Sequence, residues 1–495
     1  MKTMNQPIRL LTLLLATSLP ATAYNAEVPG PLPMPLSLED AVLMALEDNP
    51  DLLVQAFEPL VAGSFLQRER ARFAPVVFAS ASRRESRSSE TARATGEQFD
   101  AEVEQFRLAG GVSKPLATGS EVALQMMHAS EISNRAPDQE ESRASLSFTQ
   151  ALLQGGGRTV NLAGVRRAEF GLAISEAELR GYTEFILAET EAAYWRFWLA
   201  TETIDIARQA LDVAQQQLHD VEQRIEVGQL ARNEAAVAQA EVARRRQTLI
   251  DAQADLVRRR IELGMLIAPA QPHFHVRPSS TPDVPSVDET DTPDMRIELA
   301  DQNRADLQEA RYRLEQSKLD TVITRNGLLP RLEFFAELSK SGFGASASDA
   351  WADLNGNSYD WQTGLRFRHP LGRTQEKALD AESRFREAQA RQAIENLRQQ
   401  IAAGVHLALN ELKRAQEQVD ASAETHRLQI QTVESEVERF QVGTGTALMV
   451  AQAQRDLLSS MVAEKQAVVQ ARLALLQLYR AEGSLLARRG IRLDP

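Results

Sequence analysis

The sequence predicts a mixed fold: an all-α cylinder of long coiled-coil helices joined to a transmembrane β-barrel. Each chain is read as two structural repeats that contribute about four strands, or six at most. Three observations carry this reading. Helical stretches run far beyond globular length, short segments alternate apolar and polar residues, and the two halves of the chain echo each other in order.

The N-terminus comes first. Lys2 and Arg9 flank the start of the apolar run Leu10–Leu19, and Ala21-Thr22-Ala23 supplies small residues at the right spacing. A basic start, a short apolar core and an A-x-A site make a cleaved secretory signal peptide over residues 1–23. The run is too short for a spanning helix, which needs about 20 apolar residues, and no other stretch reaches that length. An exported chain without such a stretch is either soluble or a β-barrel, because barrels satisfy their backbone without long apolar runs. The absence of cysteine excludes disulfides and a lipidated N-terminal cysteine. The net charge of −13 argues against a nucleic-acid partner, since phosphate contacts need a basic face.

The mature chain divides into a first repeat (24–267), a proline-rich linker (268–296), a second repeat (297–485) and a C-terminal tail (486–495). Asn49-Pro-Asp-Leu52 is echoed by Arg304-Ala-Asp-Leu307, and Pro75 by Pro330, both 255 residues on. Ile225-Glu-Val-Gly228 is echoed by Phe440-Gln-Val-Gly443 at a spacing of 215, and Ala238-Gln-Ala240 by Ala451-Gln-Ala453. The linker from Pro269 to Pro293 holds six of the 20 prolines, which rules out regular helix there.

Each repeat reads as a short helix, strands, a very long helix, a turn and a return helix. In the first, a helix starts near Leu38 behind a Ser37/Asp40 capping box, pauses at Asn49-Pro50 and runs to about Arg72. Strands follow over about 73–151, then a helix over 158–227, a turn at Gly228 and a return to about Leu266. The second repeat gives a helix over 297–327, strands over about 329–370, a helix over 374–441, a turn at 443–445 and a return over 446–484. At 1.5 Å per residue the longest helices reach about 100 Å, and the two shorter helices of each repeat could stack beside them. An ordinary antiparallel coiled coil would show the same periodicity.

The strands separate the two. Trp361, Thr363, Leu365 and Phe367 fall on one face of 361–368, and Gln362, Gly364, Arg366 and Arg368 on the other. In a barrel Trp361, Leu365 and Phe367 meet lipid, while Gln362, Arg366 and Arg368 line water. Val122, Leu124 and Met126 alternate likewise, and Leu146 and Phe148 continue the theme. So few strands cannot close a barrel alone, so several subunits must pool them.

Leu38–Leu52, Glu191-Ala-Ala-Tyr-Trp-Arg-Phe197, the passage Phe148–Arg158 through Gly155-Gly-Gly157, and Phe440-x-x-Gly443 followed by Ala451-Gln-Ala453 together resemble the TolC family of outer-membrane efflux and secretion channels. The resemblance spans residues 36–485. It implies a homotrimer with a shared 12-stranded barrel, a helical tunnel and a mid-tunnel belt. It also implies a periplasmic adaptor protein and an inner-membrane transporter as partners, in a tripartite efflux pump or a type I secretion system. Adaptor contact is then expected at the helix tips, at Val227, Gly228, Leu230, Val442, Gly443 and Thr444. Entrance-lining positions correspond to Glu234, Met449 and Gln452. The family's acidic lining is absent from Met449 and Gln452, the tyrosine of its closing network is replaced by Phe440, and the arginine by Gly445. The first strand region, longer than the second, has room for an extra hairpin.

Nothing in the sequence calls for an enzyme, cofactor or metal. Gly155–Gly157 lacks the lysine of a phosphate loop, and His273 and His275 sit in the linker without a third ligand. The aromatics Tyr194, Trp195, Phe197 and Trp198 read as helix packing. The competing function is a soluble periplasmic coiled-coil adaptor or structural protein, which would lack both lipid-facing strands and the two-copy plan.

Overall fold

The computed structural model describes residues 34–91, 96–269, 275–285 and 292–492. The signal-peptide stretch 1–23 and His273 lie outside them.

The first repeat opens with β1 (Met34–Leu36), α1 (Leu38–Asp48), α2 (Pro50–Gln55) and α3 (Phe57–Ala71). Ser37 caps α1 and Asn49 caps α2, each through a side-chain oxygen that accepts an otherwise orphaned backbone N–H. Four strands follow: β2 (Val76–Thr91), β3 (Gln98–Pro115), β4 (Ser120–Ser133) and β5 (Ala136–Ala151). The chain then turns into α4 (Arg158–Asn161), α5 (Ala163–Glu226) and the returning α6 (Asn233–Ile267). The predicted single helix over 158–227 is thus broken at Leu162, where the corner out of the sheet is absorbed.

The linker contributes β6 (Val276–Pro278), which pairs in parallel with β1, a pairing no sequence signal announced. The second repeat runs through α7 (Pro293–Asn303), α8 (Ala305–Gly327), β7 (Arg331–Gly344), α9 (Ala347–Ala352), β8 (Tyr359–Arg368), α10 (Thr374–Gln441) and α11 (Ala447–Glu482). A short α12 (Leu485–Arg488) follows, so the terminal segment docks with Leu485 and Leu486 buried.

With 64 and 68 residues, α5 and α10 are about 95–100 Å long at 1.5 Å per residue. Along its length α5 packs against α3 and then α6, and α10 packs against α8 and then α11. The stacking has a matching staple in each repeat. Asn49, at the α1–α2 break, donates from Nδ2 to the Leu266 carbonyl at the end of α6 (3.1 Å). Arg304, at the α7–α8 break, donates to the Ala481 carbonyl at the end of α11 (3.2 Å). The two donors, Asn49 and Arg304, are 255 residues apart and the two acceptors, Leu266 and Ala481, 215, the same two spacings that relate the sequence echoes.

The densest core lies at this mid-height. Tyr194 and Phe197 are fully buried with Leu36, Leu263 and Ile267, and Tyr194 Oη donates to the Leu36 carbonyl (2.8 Å). The four aromatics of the 194–198 segment are therefore packing groups.

The six long strands form one antiparallel sheet in the order β2-β3-β4-β5-β7-β8. Six is the upper of the two expected counts. The extra hairpin is β2–β3, added ahead of β4 and β5 in the longer first strand region.

Candidate functional site: a two-faced sheet and two duplicated helix tips

Residues directly opposite each other in an antiparallel ladder share a face, so the register assigns every strand residue to a side. Leu365 pairs with Phe334, Phe367 with Leu332 and Trp361 with Leu338. Leu338 pairs onward with Leu146, Leu146 with Leu124, and Leu124 with Val112. One face of the sheet is thus apolar from β8 to β3. Its residues stand open: Trp361, Leu365 and Phe367 are each 64% exposed. A continuous exposed apolar band on a sheet marks a surface that an apolar environment or a partner covers.

The opposite face is polar. Gln362 pairs with Glu337, Arg366 with Glu333 and Arg368 with Arg331. Glu333 accepts an ion pair from Arg331 (2.5 Å) and lies 3.5 Å from Arg366, whose guanidinium also sits 5.3 Å from the Phe335 ring centroid. Tyr359 and Trp361 lie on the apolar face at the far end of β8, both exposed. No helix among the described residues is long and apolar enough to cross a membrane.

At the sheet-to-helix corner, Gly155 (φ 80°) and Gly157 (φ 93°) take backbone conformations that L side chains rarely adopt. Sequence reading missed Gly119, where a Cβ would stand 2.2 Å from the Gly155 carbonyl oxygen.

The other ends of the long helices form two turns of one geometry. Gly228 (φ 77°) donates to the Ile225 carbonyl and Gln229 to that of Arg224. Gly443 (φ 79°) donates to Phe440 and Thr444 to Arg439. In both, the glycine follows the C-cap valine and closes a Schellman motif, which needs a left-handed residue. Val227 and Val442 stand at the turns, 68% and 75% exposed, with Leu230 half-buried behind the first. Past the turns, Glu234 lies in the first turn of α6, half-buried, while Met449 and Gln452 are exposed on the first turns of α11.

One partner at the tips was not found from sequence. The Arg224 guanidinium lies 5.3 Å from the Phe440 ring centroid and links α5 to α10. The apolar ring that cannot make a hydroxyl bond can still hold a cation over its face. Higher up, Glu241 and Arg245 pair at 2.8 Å, both buried. Burial pushes the Arg245 guanidinium down from its usual range, and Glu241 works against that shift.

No protein of curated function matches this sequence. Among solved structures, the chain is similar to the CmeC outer membrane channel of Campylobacter jejuni, at 17% identity and TM-score 0.67, covering 90% of this chain and 85% of that one. It is also similar to the outer membrane protein VceC of Vibrio cholerae (18% identity, TM-score 0.66, 90% and 96% covered). The open state of the Neisseria gonorrhoeae MtrE outer membrane channel is a further neighbour (17% identity, TM-score 0.64, 90% and 89% covered). The family described as outer membrane efflux protein matches residues 42–268 and 296–484, so its two segments fall on the two repeats and skip the linker. A helical tunnel carrying membrane strands, matched over most of its length by that family, identifies the chain as a member of the outer membrane efflux protein family and an outer-membrane channel.

Proposed function

We propose that three copies of this chain, exported by the cleaved signal peptide and not lipidated, form the trans-periplasmic exit duct of a tripartite efflux pump or a type I secretion system. The observation that carries the trimer is the open six-stranded sheet. Among the described residues both its edge strands, β2 and β8, lack a further strand neighbour, and an apolar band with open edges is stable only when closed. Val227 and Val442, at the ends of about 100 Å rods, are left mostly uncovered by the described residues. They are assigned to the periplasmic adaptor, with Gly228, Leu230, Gly443 and Thr444 shaping the contact, and the inner-membrane transporter lies beyond it. Glu234, Met449 and Gln452 are assigned to the entrance lining. Mass-resolved light scattering of the detergent-solubilised protein should give a trimer, and a monodisperse folded monomer would refute this reading.

The facing of the sheet has its own test. Leu365→Arg should cost about 2–4 kcal/mol near the bilayer midplane, while Gln362→Arg should be tolerated. Equal effects on heat-resistant assembly in the outer membrane would show that this facing is wrong.

The Arg224–Phe440 contact is assigned to holding the entrance closed in place of the hydroxyl network. An exposed cation–π pair contributes about 0.5–1 kcal/mol. Arg224→Ala should therefore raise open-channel occupancy in planar bilayers about two- to fivefold. An unchanged closed fraction would remove the pair from gating.

A further inference from the structure

We propose that the β2–β3 hairpin widens the membrane exit, so that three copies close an eighteen-stranded barrel whose bore matches that of the helical tunnel. This rests on the trimeric duct proposed above and adds the size of its exit.

The hairpin is part of the sheet and not a flap laid over it. The β2–β3 ladder is unbroken from Val76↔Ser113 to Thr91↔Gln98, and β3–β4 from Val103↔Ser133 to Pro115↔Glu121. Its faces also continue those of the other strands. Val77 pairs with Val112 and Ala81 with Leu108, while Val112 pairs with Leu124 on β4. The apolar band therefore extends onto β2, through Val77, Ala79 and Ala81. An appended hairpin outside the barrel would have no reason to repeat the lipid-facing pattern.

The free edges fit a second copy of the chain. The chain enters β2 from α3 and leaves the helices, whereas β8 returns toward α10, so β8 of one copy runs antiparallel to β2 of the next. An even number of strands per chain keeps that alternation around a closed ring. Val77, Ala79 and Ala81 of β2 lie on the same face of the sheet as Thr363, Leu365 and Phe367 of β8, so a seam between copies would continue the apolar band.

Perimeters argue for the larger ring. Each chain supplies four helix columns: α5, α10, the α3/α6 stack and the α8/α11 stack. Twelve columns spaced 8–10 Å apart give a tunnel perimeter of about 100–120 Å. Strands spaced about 4.8 Å apart and tilted about 40° give about 75 Å for twelve strands and about 113 Å for eighteen. With eighteen the duct continues into the membrane without narrowing, so cargo size is limited at the periplasmic tips and not at the exit.

The test uses the full-length protein, which contains no cysteine. Thr363→Cys or Leu365→Cys on β8 is combined with Ala79→Cys or Ala81→Cys on β2, or with Val122→Cys or Leu124→Cys on β4. The expected result is disulfide-linked trimers from the β2 pairs alone, and eighteen strands in an end-on single-particle reconstruction in lipid nanodiscs. Links from the β4 pairs, or twelve strands in an intact trimer, would place the hairpin outside the barrel and overturn the inference while leaving the trimer standing. A monomer in the reconstruction would instead overturn the trimeric duct and this inference with it.

Discussion

Gly228→Pro or Gly443→Pro should abolish export while leaving outer-membrane assembly and trimer formation at normal levels. Both glycines hold φ near +78°, whereas proline fixes φ near −65°. Each also donates its N–H to the helix end, to Ile225 and Phe440 respectively, and proline has no N–H to give. The Schellman turn must therefore rebuild, and Val227 or Val442 is displaced from its exposed position. The sheet and the mid-height core lie at the far end of α5 and α10 or halfway along them, so assembly should not be affected. Gly228→Asn and Gly443→Asn, which tolerate the left-handed region, should retain most transport. The measurement is substrate efflux in cells in which each variant reaches the outer membrane at wild-type abundance. Full transport by both proline variants would remove the tips from the mechanism.

Much of this architecture was legible because its signals are long or periodic. A helix of 68 residues declares itself by composition over many turns, and its boundaries, Thr374 and Gln441, fall at a sheet-to-helix corner and a glycine turn. The strand faces were readable on β8 because Trp361–Phe367 alternates without error. On β2 they were not: Ser80, Ser82, Ser86, Ser88 and Ser89 blur the alternation, and only the register against β3 shows which side Val77 and Ala81 share. The number of strands in the first region therefore needed the pairing.

The tips divide in the same way. Glycine after a long helical run marks a chain reversal from local chemistry alone, so Gly228 and Gly443 were identifiable. The Arg224–Phe440 contact joins residues 216 positions apart on two different helices, and no spacing rule within one chain segment reaches it. The same holds for Glu191 and Arg489. Glu191 belongs to a motif read for its aromatics, and Arg489 to a terminal segment with no evident role.

That last pair should carry one of the larger stabilities in the chain. Glu191 on α5 is 1% exposed, and Arg489, just beyond α12, grips it with a two-pronged pair at 2.6 and 2.5 Å. Breaking a fully buried ion pair by removing one partner costs about 3–5 kcal/mol, because a buried charge is left uncompensated. Arg489 keeps 37% of its side chain exposed, which admits some water and places Arg489→Ala toward the lower end, near 3 kcal/mol. Arg489→Lys keeps the charge but not the planar fork, so it should recover only part of the loss. Replacing both residues with leucine should recover more, since no charge then remains to be solvated. Trp195 and Trp198 lie within a turn or two of Glu191 on the same helix, so their fluorescence reports this region during urea unfolding in detergent. A loss below 1 kcal/mol in Arg489→Ala would mean that the terminal segment does not brace the mid-height core.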